Sequence, residues 1–457
     1  MNRARTDGPG SADRKPKDST ARQTLSVADW TQRIALPVVQ QHLDDAIMLA
    51  VARFRLVGAA HVKLHTLGRI DERLSAHLDG LAIAGAGGHR LADAALDPPT
   101  PGALFVWLAS ALADEDPVRI ERGLLIGRSS SEATQDVQAA LDWTCPRLLR
   151  QPIRRMLASD DAWLRSMAIA ACAAHRVDAA DAISSGLEAA DPLLRVTSLR
   201  AAAALGRRDL LGACLALSRT RDTAPTQESA MVIDVAAEAL IAAVVLGSRG
   251  GSLDRLGHLA ATPDTTQMSA LSLLLGILEP VQARPILRAL FDDPAHRRLL
   301  LQCIGLSGDP AYVPWLMDQM TDPALARLAA ESFSMITGAD LPALDLDRLS
   351  PERSAEESAD DPESTDVALD EDTGLPWPDV GRIEAWWRSR SREFEHGRRY
   401  FVGSALDWPH CVGILSVGYQ RQRVAAANHL CLLRPGTVRF NCAAPTRRQL
   451  GWLETMP

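Results

Sequence analysis

Apolar positions recur at helical spacing in five segments of this chain, and an aspartate precedes each segment. The aspartates are Asp161, Asp191, Asp264, Asp293 and Asp322, and three of them are followed by proline. Their spacing is 30 residues from 161 to 191, 29 from 264 to 293 and 29 from 293 to 322. An Asp-Pro pair favours a helix start, because the carboxylate caps exposed backbone N–H groups and proline fits the first helical position.

Counting in steps of four from the third residue after each aspartate gives one ridge of a helix. The ridges are Leu164/Ala168/Cys172, Leu194/Ser198/Ala202, Gln267/Leu271/Leu275, His296/Leu300/Ile304 and Leu325/Ala329/Phe333. Shorter second helices are predicted at Leu210–Leu217, Val281–Leu290 and Tyr312–Met320. A helical hairpin of this size cannot bury its own apolar face, so neighbouring hairpins must stack. The pattern predicts an all-α fold of HEAT-like helical-hairpin repeats, forming an α-solenoid or curved helical stack, with a small C-terminal helical module.

Composition shifts divide the chain into five predicted regions. From 351 to 372, ten acidic residues accompany one arginine, which is typical of a disordered linker. The regions are a disordered N-terminal tail (1–28), a helical capping region (29–157), the HEAT-like repeats (158–345), an acidic linker (346–374) and a Trp/Arg-rich helical module (375–457). Further helices are predicted at 34–53, 68–84, 104–113, 118–126, 133–157, 379–395 and 420–433. The gap between 191 and 264 is predicted to contain at least one irregular repeat unit. The run Gly85–Gly88 is predicted to end the first helical pair.

Composition and charge narrow the function classes. Apolar residues make up 47% of the chain and aromatic residues only 4%, which favours helices over strands. The net charge of −8 argues against a general nucleic-acid binder, which needs a basic face. Seven scattered cysteines without a C-x-x-C pair indicate a reducing cytoplasm. The sequence contains no uninterrupted run of 18 apolar residues, so no membrane span is predicted.

The densest group of aromatic and arginine residues lies in the C-terminal module. These residue types are enriched at protein interfaces. The predicted partner-binding residues are Trp377, Trp386, Trp387, Arg388, Arg392, Arg421 and Arg423. Two alternatives stay open: the aromatic side chains pack the module against the last repeat, or arginines stacked on rings bind single-stranded nucleic acid, which the net acidity disfavours.

No sequence motif supports an active site. His61 and His65 have the spacing at which one helix face holds a metal, but the glutamate of a zinc protease is missing. The glycines at 85–88 do not match a phosphate-binding loop, and the segment Gly413–Gly418 is one residue too long for a serine-hydrolase elbow. No catalytic residue, metal or cofactor is predicted.

Four segments resemble a bacterial family of HEAT-like proteins of unassigned activity. They are Val38–Ala46 (VVQQHLDDA), Leu67–Leu81 (LGRIDERLSAHLDGL), Gly418–Ala427 (GYQRQRVAAA) and Leu433–Phe440 (LRPGTVRF). Genes of this family commonly lie beside type VI secretion genes. The resemblance implies an accessory or adaptor role in a Gram-negative cytoplasm.

Pattern and resemblance together predict a non-catalytic scaffold. Its concave surface and its C-terminal module are expected to hold a protein partner, either a secretion effector or its carrier. Two other functions are open: an enzyme on a HEAT-like scaffold, lyase-like or hydroxylase-like, and an immunity protein for a neighbouring toxin.

Overall fold

The computed structural model describes residues 35–219, 234–349 and 372–456. These residues form 22 α-helices and two pairs of two-residue strands, which confirms the predicted all-α class. Within the described ranges, no helix has the length and apolar character needed to cross a membrane. The predicted tail, residues 1–28, lies outside the described residues.

Short connections join most successive helices. The first seven are α1 (Leu36–Leu56), α2 (Leu64–Ile83), α3 (Ala86–Ala94), α4 (Ala103–Ala113), α5 (Pro117–Gly127), α6 (Ser131–Trp143) and α7 (Pro146–Leu157). The next eleven are α8 (Ala162–Ala174), α9 (Asp181–Leu187), α10 (Pro192–Ala204), α11 (Leu211–Leu217), α12 (Val235–Val245), α13 (Gly251–Ala260), α14 (Gln267–Ile277), α15 (Pro280–Phe291), α16 (Arg297–Ser307), α17 (Val313–Gln319) and α18 (Ala326–Thr337). The last four are α19 (Val380–Arg390), α20 (Trp408–Val417), α21 (Gln420–Leu433) and α22 (Thr446–Leu453).

Two antiparallel strand pairs accompany the last helices. Strand β1 (Asp347–Arg348) pairs with β2 (Trp377–Pro378), and β3 (Tyr400–Phe401) pairs with β4 (Ser404–Ala405). The first pair joins the beginning of the predicted acidic linker to the segment just after its end. The structure therefore describes the linker's beginning and end, whereas residues 350–371 lie outside the described residues.

The even-numbered helices from α4 to α18 form a continuous row, in which each packs against the next. We call this set the main row. The odd-numbered helices from α5 to α17 form a second layer, and each packs on the even-numbered helix that follows it. Most main-row positions on the predicted ridges are buried, as at Ser198, Leu271 and Phe333, whereas Leu164 and Gln267 are half-buried.

Aspartate caps start several of these helices as the sequence predicted. Asp161 Oδ1 accepts the N–H groups of Trp163 at 2.9 Å and of Leu164 at 3.3 Å, and Asp191 caps α10 through Leu194. At Asp264 the carboxylate instead accepts from Thr266, just before α14, so it stabilises a turn.

One helix prediction in the first part of the chain was wrong. The single helix at 133–157 is two helices, α6 and α7, because Pro146 lacks an N–H and disfavours helical geometry in the residue before it. The glycines at 85–88 follow the end of α2, as predicted, and Gly85 also directly precedes α3, which the sequence did not predict. Gly85 adopts a positive φ of 52°, and Gly88 sits where an added Cβ would lie 2.5 Å from the Leu81 carbonyl oxygen.

The C-terminal module, residues 375–456, lies along the C-terminal ends of the main row. Helices leave their last carbonyl groups without intrahelical partners, and cationic groups there also interact favourably with the helix dipole. Residues of the module donate hydrogen bonds to these backbone carbonyls. The side chain of Arg448 donates to Asp142 and Thr144 at the end of α6, that of Asn441 to Ala174 of α8, and that of Arg399 to Gly276 and Leu278 at the end of α14. The backbone N–H of Arg439 donates to Ala204 of α10, and that of Val402 to Met335 of α18. The module is therefore an integral part of the fold.

The two ends of the fold meet beside this module. Lys63, just before α2, places its Nζ 2.6 Å from Oδ2 of Asp340, which follows α18. The Tyr419 hydroxyl donates to the other oxygen of Asp340 at 2.8 Å, and the Gln420 N–H donates to the Val62 carbonyl at 2.7 Å. The first helical pair, the last helix of the main row and the C-terminal module thus share one polar contact region.

Candidate functional site

The aromatic part of the predicted partner-binding cluster packs against other rings of the protein. The Trp387 and Phe394 ring centroids are 5.1 Å apart, Phe394 and Tyr400 are 4.8 Å apart, and all three side chains are buried. Trp386 is half-buried and packs edge-on against Phe333 of α18 at 5.7 Å. These contacts support the alternative in which the aromatic side chains pack the C-terminal module against the end of the main row.

Two predicted arginines are also engaged within the chain. The Arg423 side chain is 0% exposed, and its guanidinium donates to the Leu415 carbonyl and to the side-chain oxygens of Gln420 and Gln449. Arg421 is half-buried and forms an ion pair of 2.6 Å with Glu331. A partner cannot reach Arg423 in this conformation, so the structure removes it and the buried Trp387 from the predicted surface.

The remaining predicted residues differ in exposure. Trp377 is half-buried in β2, where the Arg327 guanidinium lies 4.8 Å from its ring centroid. Arg388 and Arg392 are exposed. The role of these three residues and of Arg421 in binding stays a prediction.

A groove that the sequence did not predict lies between α15 and α17 in the second layer. One stripe of α15 forms its first wall, because Val281, Arg284, Pro285 and Arg288 follow the spacing of a single helix face. Tyr312 and Trp315 form the opposite wall. The floor consists of buried side chains, Leu287, Leu300 and Ile304, and the volume of the open groove is about 590 Å³.

Aromatic rings and arginines meet at the mouth of this groove. The Phe291 and Trp315 rings lie edge to face with centroids 6.2 Å apart. The Arg297 guanidinium carbon is 5.3 Å from the Phe291 centroid and 5.8 Å from that of Trp315, and Arg288 is 5.7 Å from Phe291. Phe291 is 43% exposed and Val281 is 60% exposed, so the groove presents apolar surface to solvent.

The charges around the groove are unevenly placed. Arg284 and Arg288 line it, and no carboxylate is among its described lining residues. Asp309 lies buried behind the wall, 3.9 Å from Arg284. Burial, followed by the nearby Asp309 charge, raises the pKa of Tyr312, so its hydroxyl stays a neutral donor at neutral pH.

Sequence reasoning missed this groove because its residues come from three helices. Phe291, Tyr312 and Trp315 are spread over 25 positions, and no local density marks them. The available signal was the stripe at 281, 284, 285 and 288, which puts apolar and cationic side chains on one face of a predicted helix. Only packing shows that this face lines a groove.

His61 and His65, which have a metal-binding spacing in the sequence, lie in different local structures. His61 precedes α2 while His65 lies within it, so the two imidazoles do not share a helix face. Among the residues that the structure describes, no group of three or more His, Cys, Asp or Glu side chains could hold a metal ion.

Comparisons with protein-family models, with curated proteins and with solved structures gave no match to this chain.

Proposed function

We propose that this chain is a non-catalytic scaffold that binds another protein in the groove between α15 and α17. The observation that carries this proposal is the exposed apolar surface at Val281 and Phe291, beside Trp315 and three arginines. Exposed apolar patches mark interaction sites on soluble proteins, and Trp, Tyr and Arg dominate the energetics of interfaces.

The packing of the helices supports a repeat architecture for this scaffold. We propose that the hairpins made by the main row and the second layer are HEAT-like repeats in a curved stack, because each main-row helix packs against the next. Such a stack offers an extended surface to a large partner. Since the C-terminal module covers the ends of the main row, the proposed binding surface is on the second layer and differs from the predicted concave one.

The resemblance of four segments to a family encoded beside type VI secretion genes suggests the biological setting. We propose that the partner is a secretion effector or its carrier, and that binding takes place in the cytoplasm before export.

Capture from the native host tests the proposed function. The tagged full-length chain is compared with the double variant Val281→Gln/Phe291→Gln and with a matched control, Val118→Gln/Leu125→Gln. The control also removes two exposed apolar side chains from a second-layer helix, α5, in which Val118 is 73% exposed. Neutral glutamine leaves the charge of both surfaces unchanged.

We expect one protein to co-purify in constant ratio with the wild type and the control, and at least about tenfold less of it with the groove variant. Equal recovery with both variants would show that the groove is not the binding site. A chain that co-purifies with no protein would contradict the scaffold itself.

A further inference from the structure

We propose that the occupant of the groove is an acidic segment of the partner protein, which places carboxylates beside Arg284 and Arg288 and an apolar side chain on Phe291 and Trp315. This inference rests on the proposed function and specifies the chemistry of the partner.

The first argument is the sign of the charge that faces the groove. Arg284 and Arg288 line it, and Arg297 lies over both rings at its mouth. Each lining arginine has one carboxylate within ion-pair distance: Arg284 lies 3.9 Å from the buried Asp309, at the outer limit of such a pair, and Arg288 pairs through Nε with the exposed Asp292 at 3.0 Å. An exposed pair of this kind contributes at most about 1 kcal/mol, so Arg288 can exchange Asp292 for a partner carboxylate.

The second argument is the spacing of the two lining arginines. They stand four residues apart on α15, which corresponds to about 6 Å along the helix axis. Two carboxylates four residues apart on a helix match that distance, and so do carboxylates two residues apart on an extended segment, at about 6.6 Å. The partner segment is therefore expected to carry acidic residues with one of these spacings.

The third argument is that the site is formed before binding. The Arg297 guanidinium rests on two rings, and the Arg288 guanidinium rests on Phe291. Arginines held against rings lose less side-chain freedom on binding, and their ion pairs next to apolar surface are less hydrated than those in open solvent. An acidic segment thus gains its ion pairs and its apolar contact with the rings at a small entropic cost.

Site-specific crosslinking identifies the occupant. A photoreactive phenylalanine analogue replaces Pro285 in the full-length chain within the native host, and Pro152 of α7 in a control; both prolines lie inside second-layer helices. The crosslinked peptide is sequenced, and the same segment is then synthesised for binding measurements with purified protein. We expect a peptide from another protein with at least two acidic residues at the stated spacing, crosslinked at 285 and not at 152.

Binding of that synthetic peptide is measured with the wild type, with Arg284→Gln/Arg288→Gln and with the control Arg150→Gln/Arg154→Gln. The control pair is also four residues apart on an exposed face of a second-layer helix, α7. We expect the groove variant to bind about tenfold more weakly and to lose most of the salt dependence, while the control matches the wild type. Circular dichroism of each variant verifies that the fold is retained.

Several outcomes would overturn the inference while leaving the proposed function standing. A crosslinked partner peptide without acidic residues, or equal binding by both arginine variants, would remove the charge argument. A crosslink to residues 350–371 of the same chain, or to a second copy, would assign the groove to this chain itself and would contradict the proposed function as well as the inference. No crosslink at 285, together with failed capture in the native host, would contradict the inference and the proposed function alike.

Discussion

The C-terminal module and the groove between α15 and α17 use the same residue types in opposite ways. In the module, Trp387, Phe394 and Tyr400 stack on one another and are buried, and arginines donate to backbone carbonyls. In the groove, the Phe291 ring and the Val281 side chain face solvent, and arginines lie on the rings. A dense group of Trp and Arg in the sequence therefore does not distinguish an internal contact from a partner site.

The two regions differ because the carbonyl groups at the ends of helices need hydrogen-bond donors. The C-terminal ends of six main-row helices, α6, α8, α10, α14, α16 and α18, accept hydrogen bonds from the module, and carbonyls there need donors once the module excludes water. Arginine supplies up to five donors in a fixed geometry, which suits several carbonyls at once. The arginines of the groove are not needed as donors to helix ends, because they lie on the exposed side of the second layer.

The largest effect is expected from Arg399 of the C-terminal module. Its guanidinium donates to the Gly276, Leu278 and Ser307 carbonyls, and burial lowers its pKa. Arg399→Ala leaves these carbonyls without their donors and should lower the free energy of unfolding by about 4 kcal/mol, measured by urea denaturation. The neighbouring Arg398→Ala serves as control, because Arg398 is exposed and should change stability by less than about 0.5 kcal/mol. Similar losses for both would contradict the capping role.

A paired phenylalanine substitution compares the two regions directly. Phe394→Ala removes a buried ring that touches two others and should cost about 3 kcal/mol of stability. Phe291→Ala removes a partly exposed ring and should cost less than about 1 kcal/mol, but it should weaken partner binding. Denaturation and partner capture measured on both variants test this division. If Phe291→Ala proved the more destabilising, the groove would be part of the core.

The buried histidine of the module should make stability depend on pH. Burial lowers the pKa of His429 to about 3, whereas an unfolded histidine titrates near 6.5. Between these values the unfolded chain binds the proton and the folded chain does not, so the free energy of unfolding falls as pH falls below about 6.5. This histidine should account for about 2 kcal/mol between pH 7 and 5. His429→Leu should have a correspondingly flatter profile by denaturant titration; identical profiles would show that the group titrates alike in both states.

The smallest effect is expected at Arg388 and Arg392, the exposed arginines of the predicted cluster. Arg388→Ala/Arg392→Ala should change stability by less than about 0.5 kcal/mol, because neither side chain is buried. If the groove is the binding site, partner capture should also stay unchanged. A loss of capture with unchanged stability would return the binding site to the C-terminal module.

The sequence by itself determined the all-α class, most helix positions and several helix starts. Those features follow from local physics: apolar spacing of three and four residues defines a helix face, and aspartate caps such as Asp161 and Asp191 act within three residues. The helices α3, α9, α13, α20 and α22 were not individually predicted, because their apolar pattern is short or interrupted by glycine and alanine.

Only the tertiary structure decided which aromatic and arginine residues are exposed. Whether Arg423 meets solvent depends on Leu415, Gln420 and Gln449, and whether Phe291 does depends on Trp315 and Arg297. The composition of a segment is similar in both cases, whereas burial is set by the elements that pack against it from distant parts of the chain. For that reason helix positions could be predicted locally, but the candidate binding surface could not.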